Sequence, residues 1–404
     1  MAMVDVRLLE LRNTYKWGGG PDKTILLSAE QHDKSRVTPV VAYIRDVRDR
    51  EFQITHKARA KGLTYYEIPE RGKFDLMILR VLRDIVLRHK INVIHSHDYK
   101  SDVFAYLFGR WMCPHPIRLL STAHAWVLLG LKGELYRRLD LAVMRRLDHL
   151  IAVSHATKAE MVAGGVPAER ITVIHNAIDT KAWSPHQESD SFRRELGLGE
   201  NFPVVGYVGR INREKDLSTW LKAFAVMARN YPAARGILVG DGRGDDAQAE
   251  LERLARELGI ERQVMFPGYR SDLQAVYGAF DVFMLSSRRE GLPNCILEAM
   301  AMGLPVVTTD VAGAKELVKD GETGYVLPLG DADGLAAALL RIIEDPVLRI
   351  RLRQAGRRRI ESEFSFSNRL RRVEDLYAAL VATLPQPGRF KGYGRTVKAV
   401  DGEA

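Results

Sequence analysis

Short β-branched runs alternate with helical patterns from the first residues of the chain. Val4 to Leu9, Pro39 to Ile44, Leu63 to Ile68, Ile91 to His95, Ile117 to Ser121, Leu150 to Val153 and Ile171 to His175 read as strands. Between Phe74 and His89, Ile78, Leu82, Ile85 and Val86 recur at spacings of three and four, which puts them on one helix face. Alternation of this kind predicts right-handed crossovers and a parallel sheet. It pauses in the polar stretch Ser184 to Ser191, which reads as a linker, and then resumes. Val204 to Val208, Gly236 to Val239, Val264 to Phe266, Val282 to Leu285, Pro305 to Thr308 and Tyr325 to Leu327 are the strands of the second half, with helices from Leu217, Ala247, Leu273, Asn294 and Asp331. The expected fold class is α/β, with two doubly wound, Rossmann-like domains facing a cleft. Residues 1–186 form the first domain and 187–364 the second; a helix over 365–384 is expected to return to the first domain, and the Gly-rich basic tail 385–404 to be disordered. Ligands of such sheets bind at the carboxyl ends of the strands, so the chemistry should lie just after them.

Composition narrows this picture. The chain has 404 residues, 46% hydrophobic and 27% charged, as expected of a globular protein with two cores. No apolar run reaches the ~18 residues a membrane span needs, and the start lacks a basic segment followed by an apolar one, so a cytoplasmic location is the default. Cys113 and Cys295 are far apart and have no metal-type spacing, so they read as small hydrophobes. The net charge of +9 lies in residues 1–186, with 29 basic against 20 acidic residues, while the remainder holds 31 of each. The first domain therefore meets an acidic partner, whether substrate, nucleic acid or anionic membrane.

One segment carries most of the chemistry. Ser286-Ser-Arg-Arg-Glu290-Gly-Leu-Pro-Asn-Cys-Ile-Leu-Glu298 follows a strand, turns at Gly291 and enters a helix at about Pro293. The N–H groups of Gly291, Leu292, Asn294 and Cys295, with the positive end of the helix dipole, offer a seat for phosphate. Glu290 and Glu298 are placed to reach opposite ends of an extended ligand. A second segment, Val208-Gly-Arg210-Ile-Asn-Arg-Glu-Lys215, leaves the first strand of the second half with two cations that suit a diphosphate. Charge accumulating on a departing β-phosphate would be stabilised there in the transition state.

These segments resemble the large family 4 of retaining glycosyltransferases, which share the two-domain GT-B architecture, and the resemblance extends over nearly the whole chain. Val311-Ala-Gly-Ala-Lys-Glu316 and Asp320-Gly-Glu-Thr-Gly-Tyr-Val-Leu-Pro328 look like the family's continuation, with positions that serve the fold. The resemblance implies that Glu290 contacts hydroxyls of the transferred sugar, that Glu298 holds the nucleotide ribose, and that Arg210 and Lys215 neutralise the diphosphate. It places Gly240 near the nucleotide, and Tyr269 and Arg270 around the base. In Trp17-Gly18-Gly19-Gly20-Pro21-Asp22 no third glycine follows at the dinucleotide spacing. The resemblance nonetheless makes Gly19 and Gly20 the loop that approaches the donor diphosphate on closure. It also brings His124, at the end of a strand, near the donor sugar and anomeric carbon.

His95-Ser-His97-Asp98 has a spacing that could suit a metal. Family members carry histidines at this strand end without one, so His97 is expected to line the acceptor cleft beside His124, with no metal. Trp126 to Leu131 is apolar and is followed by Lys132, Arg137, Arg138, Arg145 and Arg146, a pattern that suits an anionic membrane surface as well as a core.

The expected activity is metal-independent, retaining hexosyl transfer without a cofactor, from a UDP- or GDP-linked sugar to a glycan or lipid-linked acceptor. Catalytic roles fall to Glu290, His124, Arg210 and Lys215. Cell-surface polysaccharide synthesis, peripheral at the inner face of the membrane, is the setting the resemblance implies. A sugar-nucleotide epimerase of similar fold is an alternative, as is a basic nucleic-acid binder. The chain lacks the aromatic RNP pattern that the latter would need, so no nucleic-acid partner is expected.

Overall fold

The structure is a computed structural model that describes residues 5–72, 75–124, 130–185, 191–199, 202–242 and 247–385. The tail from residue 386 onward, the middle of the linker and most of the apolar run after His124 lie outside the described residues.

The first domain is a seven-stranded parallel sheet in the order β3-β2-β1-β4-β5-β6-β7. Its strands are β1 (Val6–Asn13), β2 (Val37–Asp46), β3 (Tyr65–Glu70), β4 (Val93–Ser96), β5 (Arg118–Ala123), β6 (His149–Ala152) and β7 (Ile171–Val173). Its helices are α1 (Gly20–Gln31), α2 (Ile54–Ala60), α3 (Met77–His89), α4 (Tyr99–Trp111), α5 (Gly130–Met144) and α6 (His155–Ala163). On α3, Ile78, Leu82, Ile85 and Val86 are all buried. The strand order reverses beside β1, so the ends of β1 and β4 flank the crevice where such a sheet binds ligands.

The second domain begins at α7 (Ser191–Glu195), which starts on the last residue of the stretch expected to be linker, and carries a six-stranded parallel sheet in the order β10-β9-β8-β11-β12-β13. These strands are β8 (Val204–Val208), β9 (Arg235–Val239), β10 (Val264–Gly268), β11 (Val282–Leu285), β12 (Val306–Thr309) and β13 (Gly324–Leu327). Between and after them run α8 (Leu217–Asn230), α9 (Ala247–Glu257), α10 (Leu273–Gly278), α11 (Asn294–Ala301), α12 (Ala314–Leu317), α13 (Ala332–Glu344) and α14 (Pro346–Glu363). Every residue of β8 and β11 is buried, because helices cover both faces of a parallel sheet.

Strand β1 continues four residues beyond Leu9, where the sequence pattern ends. Glu10 and Arg12 break the apolar alternation, yet both are paired inside the domain: Glu10 with His97, and Arg12 with Asp22 at 2.8 Å. Buried charges persist when partnered.

The last helix, α15 (Phe366–Ala382), leaves the second domain and packs on the first. Val373 and Tyr377 share a core cluster with Val6, Leu8, Val93, Leu120 and Ile151. The chain thus crosses between the domains twice, and the crossings are joined. Ile178 N–H donates to Phe364 O at 3.0 Å and Phe366 N–H to Ile178 O at 2.9 Å.

Candidate functional site

The carboxyl ends of the two sheets face each other, and the two glutamates of the long motif sit on the second sheet's side. Both are nearly enclosed, with side-chain exposure of 12% for Glu290 and 11% for Glu298. Glu290 accepts hydrogen bonds from Lys215 Nζ and from Ser287 Oγ, the latter at 2.7 Å. Ser287 is fixed in turn by Thr309, whose hydroxyl donates to its carbonyl at 2.6 Å. Burial pulls the Lys215 ammonium down, but the charge of Glu290 and the hydrogen bond to it outweigh that effect and leave it above its usual value. Lys215 therefore stays charged beside Glu290. Arg210, by contrast, is exposed, and among the described residues it has no ion-pair partner, so its charge is available to a ligand.

Glu298 lies on α11 and accepts from Tyr277 OH at 2.8 Å and from Lys23 Nζ, across the cleft, at 3.2 Å. The helix starts at Asn294, as the sequence pattern suggests. Pro293 is the N-cap, with ψ 109°, and provides no capping side chain, so the first turn keeps its unpaired N–H groups. Pro293 O accepts from Ile296 N, which leaves Asn294 and Cys295 among the amides open at the helix start. Burial pushes the Cys295 thiol up to about 12, so this residue offers an amide and no thiolate.

The first domain reaches this helix with its glycine loop. Asp22, in the first turn of α1, accepts from Gly19 N at 2.6 Å and so holds the loop back on the helix. Gly20 lies against Asn294: a Cβ there would come within 2.5 Å of Asn294 Nδ2. Asn176 also bridges the cleft, donating to Asn294 Oδ1 at 3.0 Å. Trp17 and Tyr269 complete the rim with ring centroids 5.6 Å apart.

Gly240 has φ +147°, and a Cβ on it would lie 1.8 Å from Gly209 O. Its role here is to let the turns after β8 and β9 meet beside Arg210. Arg270 is pinned by Glu195 and Asp272 and stands 4.9 Å over the Phe192 ring. That makes Arg270 a fixture of the second domain's surface, and the more exposed Tyr269 is the freer of the two for a base.

On the first domain, His97 and His124 lie at the ends of β4 and β5 with rings stacked at 6.0 Å and 27°. Asp98 caps α4, accepting from Lys100 N and Ser101 N. Glu10, His95 and His97 have potential metal-ligand atoms within 4.8 Å of one another. Both ring nitrogens of His95 are engaged, with Tyr377 OH at 2.6 Å and Thr122 Oγ1 at 2.7 Å, so this cluster is knit together by hydrogen bonds.

The long motif, Arg210 and Lys215 are thus gathered on one wall, and His97 and His124 on the other. Lys23, Asn176, Tyr277 and Ser287 belong to the same cleft although the sequence singles out none of them. Lys23 and Asn176 could have been found only by asking what the Gly20 loop and the end of β7 would face on closure. A further link is Glu316 on α12, which accepts from His175 Nε2 at 2.7 Å and from the N–H groups of His155 and Ala156 at the start of α6.

Comparison with known proteins agrees with this architecture. Residues 18–182 match the model of Glycosyltransferase Family 4, and residues 188–359 that of Glycosyl transferases group 1. A UDP-Gal:alpha-D-GlcNAc-diphosphoundecaprenol alpha-1,3-galactosyltransferase of Escherichia coli is 27% identical over 316 residues, 76% of this chain and 80% of that protein. The lipopolysaccharide core biosynthesis glycosyltransferase LpsE of Rhizobium meliloti is 36% identical over 193 residues, 48% of this chain and 54% of that protein. Among solved structures, HepE of Anabaena in complex with UDP-glucose superposes with a TM-score of 0.80 at 22% identity, covering 92% of this chain and 99% of that one. Neither an epimerase nor a nucleic-acid binder is supported by these matches. The two matched models together cover every strand of both sheets except β1, and the chain belongs to family 4 of the glycosyltransferases, with the GT-B architecture.

Proposed function

We propose that the protein transfers a sugar from a UDP-linked donor to a lipid-linked or polysaccharide acceptor, with retention at the anomeric carbon and without a metal. The observation that carries this reading is the wall formed by Glu290, Lys215, Arg210 and the open start of α11. It provides a carboxylate for sugar hydroxyls and fixed positive charge for a diphosphate. The acceptor oxygen attacks the anomeric carbon from the face that the leaving group vacates, and the bond to the diphosphate breaks. The acceptor's proton leaves on a β-phosphate oxygen. Arg210 and Lys215 stabilise the charge that builds there. The UDP-glucose complex of the Anabaena protein and the diphosphoundecaprenol in the name of the Escherichia coli relative support the choice of donor and acceptor.

A thermal-shift screen of nucleotide sugars tests the donor. Stabilisation by ~2.7 kcal/mol at 100 times Kd is expected for a true donor. The anomeric configuration of the product, read by NMR, tests retention; an inverted product would overturn that assignment.

The first domain is also suited to an anionic lipid surface. On α5, Leu135 and Leu139 are more than half exposed and lie one turn apart, with Arg138 and Tyr136 beside them. Arg145 and Arg146 continue this exposed basic stretch. An apolar ridge flanked by cations is the form of an interfacial helix. The helix begins six residues after His124, so a lipid-linked acceptor held at the membrane would enter close to the histidines. Among the described residues, no helix is long and apolar enough to cross a membrane.

A further inference from the structure

Glu10 sits in the middle of β1, an interior strand of the first domain's sheet, at 2% exposure. An apolar residue would ordinarily occupy such a position. Its Oε2 accepts from His97 Nε2 at 2.6 Å, and its Oε1 accepts from Tyr377 OH at 3.4 Å. Tyr377 comes from α15, the helix that returns from the second domain, and its hydroxyl also meets His95 Nδ1 at 2.6 Å. An ionised carboxylate can only accept, so the bond to Glu10 requires the proton of His97 to be on Nε2. The lone pair of a neutral imidazole is then on Nδ1. That atom is buried and has no hydrogen-bond partner among the described residues, and the same is true of Nε2 of His124, whose ring stacks on His97. Burial pushes both imidazoles well below their usual value, and the neighbouring cations Arg12 and Arg369 push the same way, so both rings are neutral near pH 7. A buried acceptor left unpaired by the described residues calls for a further partner.

We infer that α15 completes the acceptor subsite: Tyr377 and Glu10 hold His97 as the Nε2–H imidazole, leaving Nδ1 to accept a hydrogen bond from the attacking hydroxyl of the acceptor. This rests on the glycosyl-transfer reading above. His97 orients the hydroxyl and takes no proton, since the proton departs with the β-phosphate. Glu10 and Tyr377 touch no substrate and are positioning residues.

Histidine-selective 15N labelling of the full-length protein reads the tautomer at pH 7. His97 Nδ1 is expected to be unprotonated and Nε2 protonated in the wild type, with this preference lost in Glu10→Gln. A proton on Nδ1 of wild-type His97 overturns the inference. Kinetics with UDP-glucose as donor and farnesyl-diphospho-GlcNAc as acceptor probe provide the second readout. Glu10→Gln should raise the acceptor KM about tenfold, the order of one lost hydrogen bond, with donor affinity unchanged. Tyr377→Phe, a milder change should Glu10→Gln fold poorly, is expected to raise it by a smaller factor. An unchanged acceptor KM in both folded variants overturns the proposal. If wild-type protein fails to bind UDP-glucose, it is the donor reading that falls, and the tautomer measurement still decides the inference.

Discussion

Lys23 on α1 and Glu298 on α11 meet across the cleft, Nζ to Oε1 at 3.2 Å, so the carboxylate read as the ribose ligand is already touched by a cation from the opposite domain. Lys23 is 60% exposed, which limits the pair to about 0–1 kcal/mol. Lys23→Ala should therefore weaken UDP-glucose binding by at most about fivefold. Glu298→Ala removes a charge-assisted bond of about 1.5–3 kcal/mol and should weaken binding roughly 10–150-fold. Titration calorimetry on the two variants checks the order, and a larger loss from Lys23→Ala would overturn the role given to Glu298.

Glu290 is expected to act on turnover more than on binding. Glu290→Ala should lower kcat by roughly 10–150-fold, again the worth of one charge-assisted bond, with donor affinity changed far less. Initial-rate measurements over donor concentration separate the two effects. Near-normal turnover would remove Glu290 from the reaction.

Gly240 tests the backbone geometry behind Arg210. Any side chain there meets Gly209 O, and positive φ adds strain of about 1–3 kcal/mol. Gly240→Ala should lower the melting temperature and weaken donor binding together. A variant of unchanged stability and affinity would show that the turn relaxes easily.

Glu316 makes the contact between the domains sensitive to acid. Burial acts to raise its carboxyl, but the hydrogen bonds from His175 and from the amides of His155 and Ala156 outweigh that and hold it below its usual value. A depressed carboxyl contributes its full stability above the unfolded value of ~4.3, and loses it as pH falls through the lower folded value. Melting temperature of the wild type should therefore drop on acidification below about pH 4.5, and Glu316→Gln should drop less steeply. Parallel slopes for the two proteins would show that this contact does not couple to protons.

Leu135 and Leu139 test the membrane reading. The double variant Leu135→Glu, Leu139→Glu should lose sedimentation with phosphatidylglycerol vesicles while keeping its affinity for UDP-glucose. Equal binding of wild type and variant to those vesicles, or no binding by either, would overturn it. Self-association of the wild type that the substitutions abolish would instead assign the ridge to a second copy of the chain.

Much of the fold was legible because parallel strands buried on both faces leave near-continuous apolar runs, as Val204 to Val208 does. The wall read as the donor site was legible for a related reason: Glu290 to Glu298 is one continuous segment, so its residues are local in sequence. The wall proposed for the acceptor is assembled from β1, β4, β5 and α15, and a single sequence does not show that Glu10 and Tyr377, 367 positions apart, share a hydrogen bond. Glu10 even misled, because a charged residue in a strand pattern reads as the strand's end. For Arg270, which the resemblance placed around the base, the sequence did not show that Glu195 at the end of α7 and Asp272 before α10 engage it.

The backbone bonds joining Ile178 to Phe364 and Phe366 bear on how the cleft can open. A single tether would let one domain swivel or slide freely over the other. Two tethers fastened side by side act as a short axle, so opening is confined to a swing about that point. The jaws then part least beside the axle and more with distance from it. A donor would enter on the side away from the axle, and its departure would be timed by the swing.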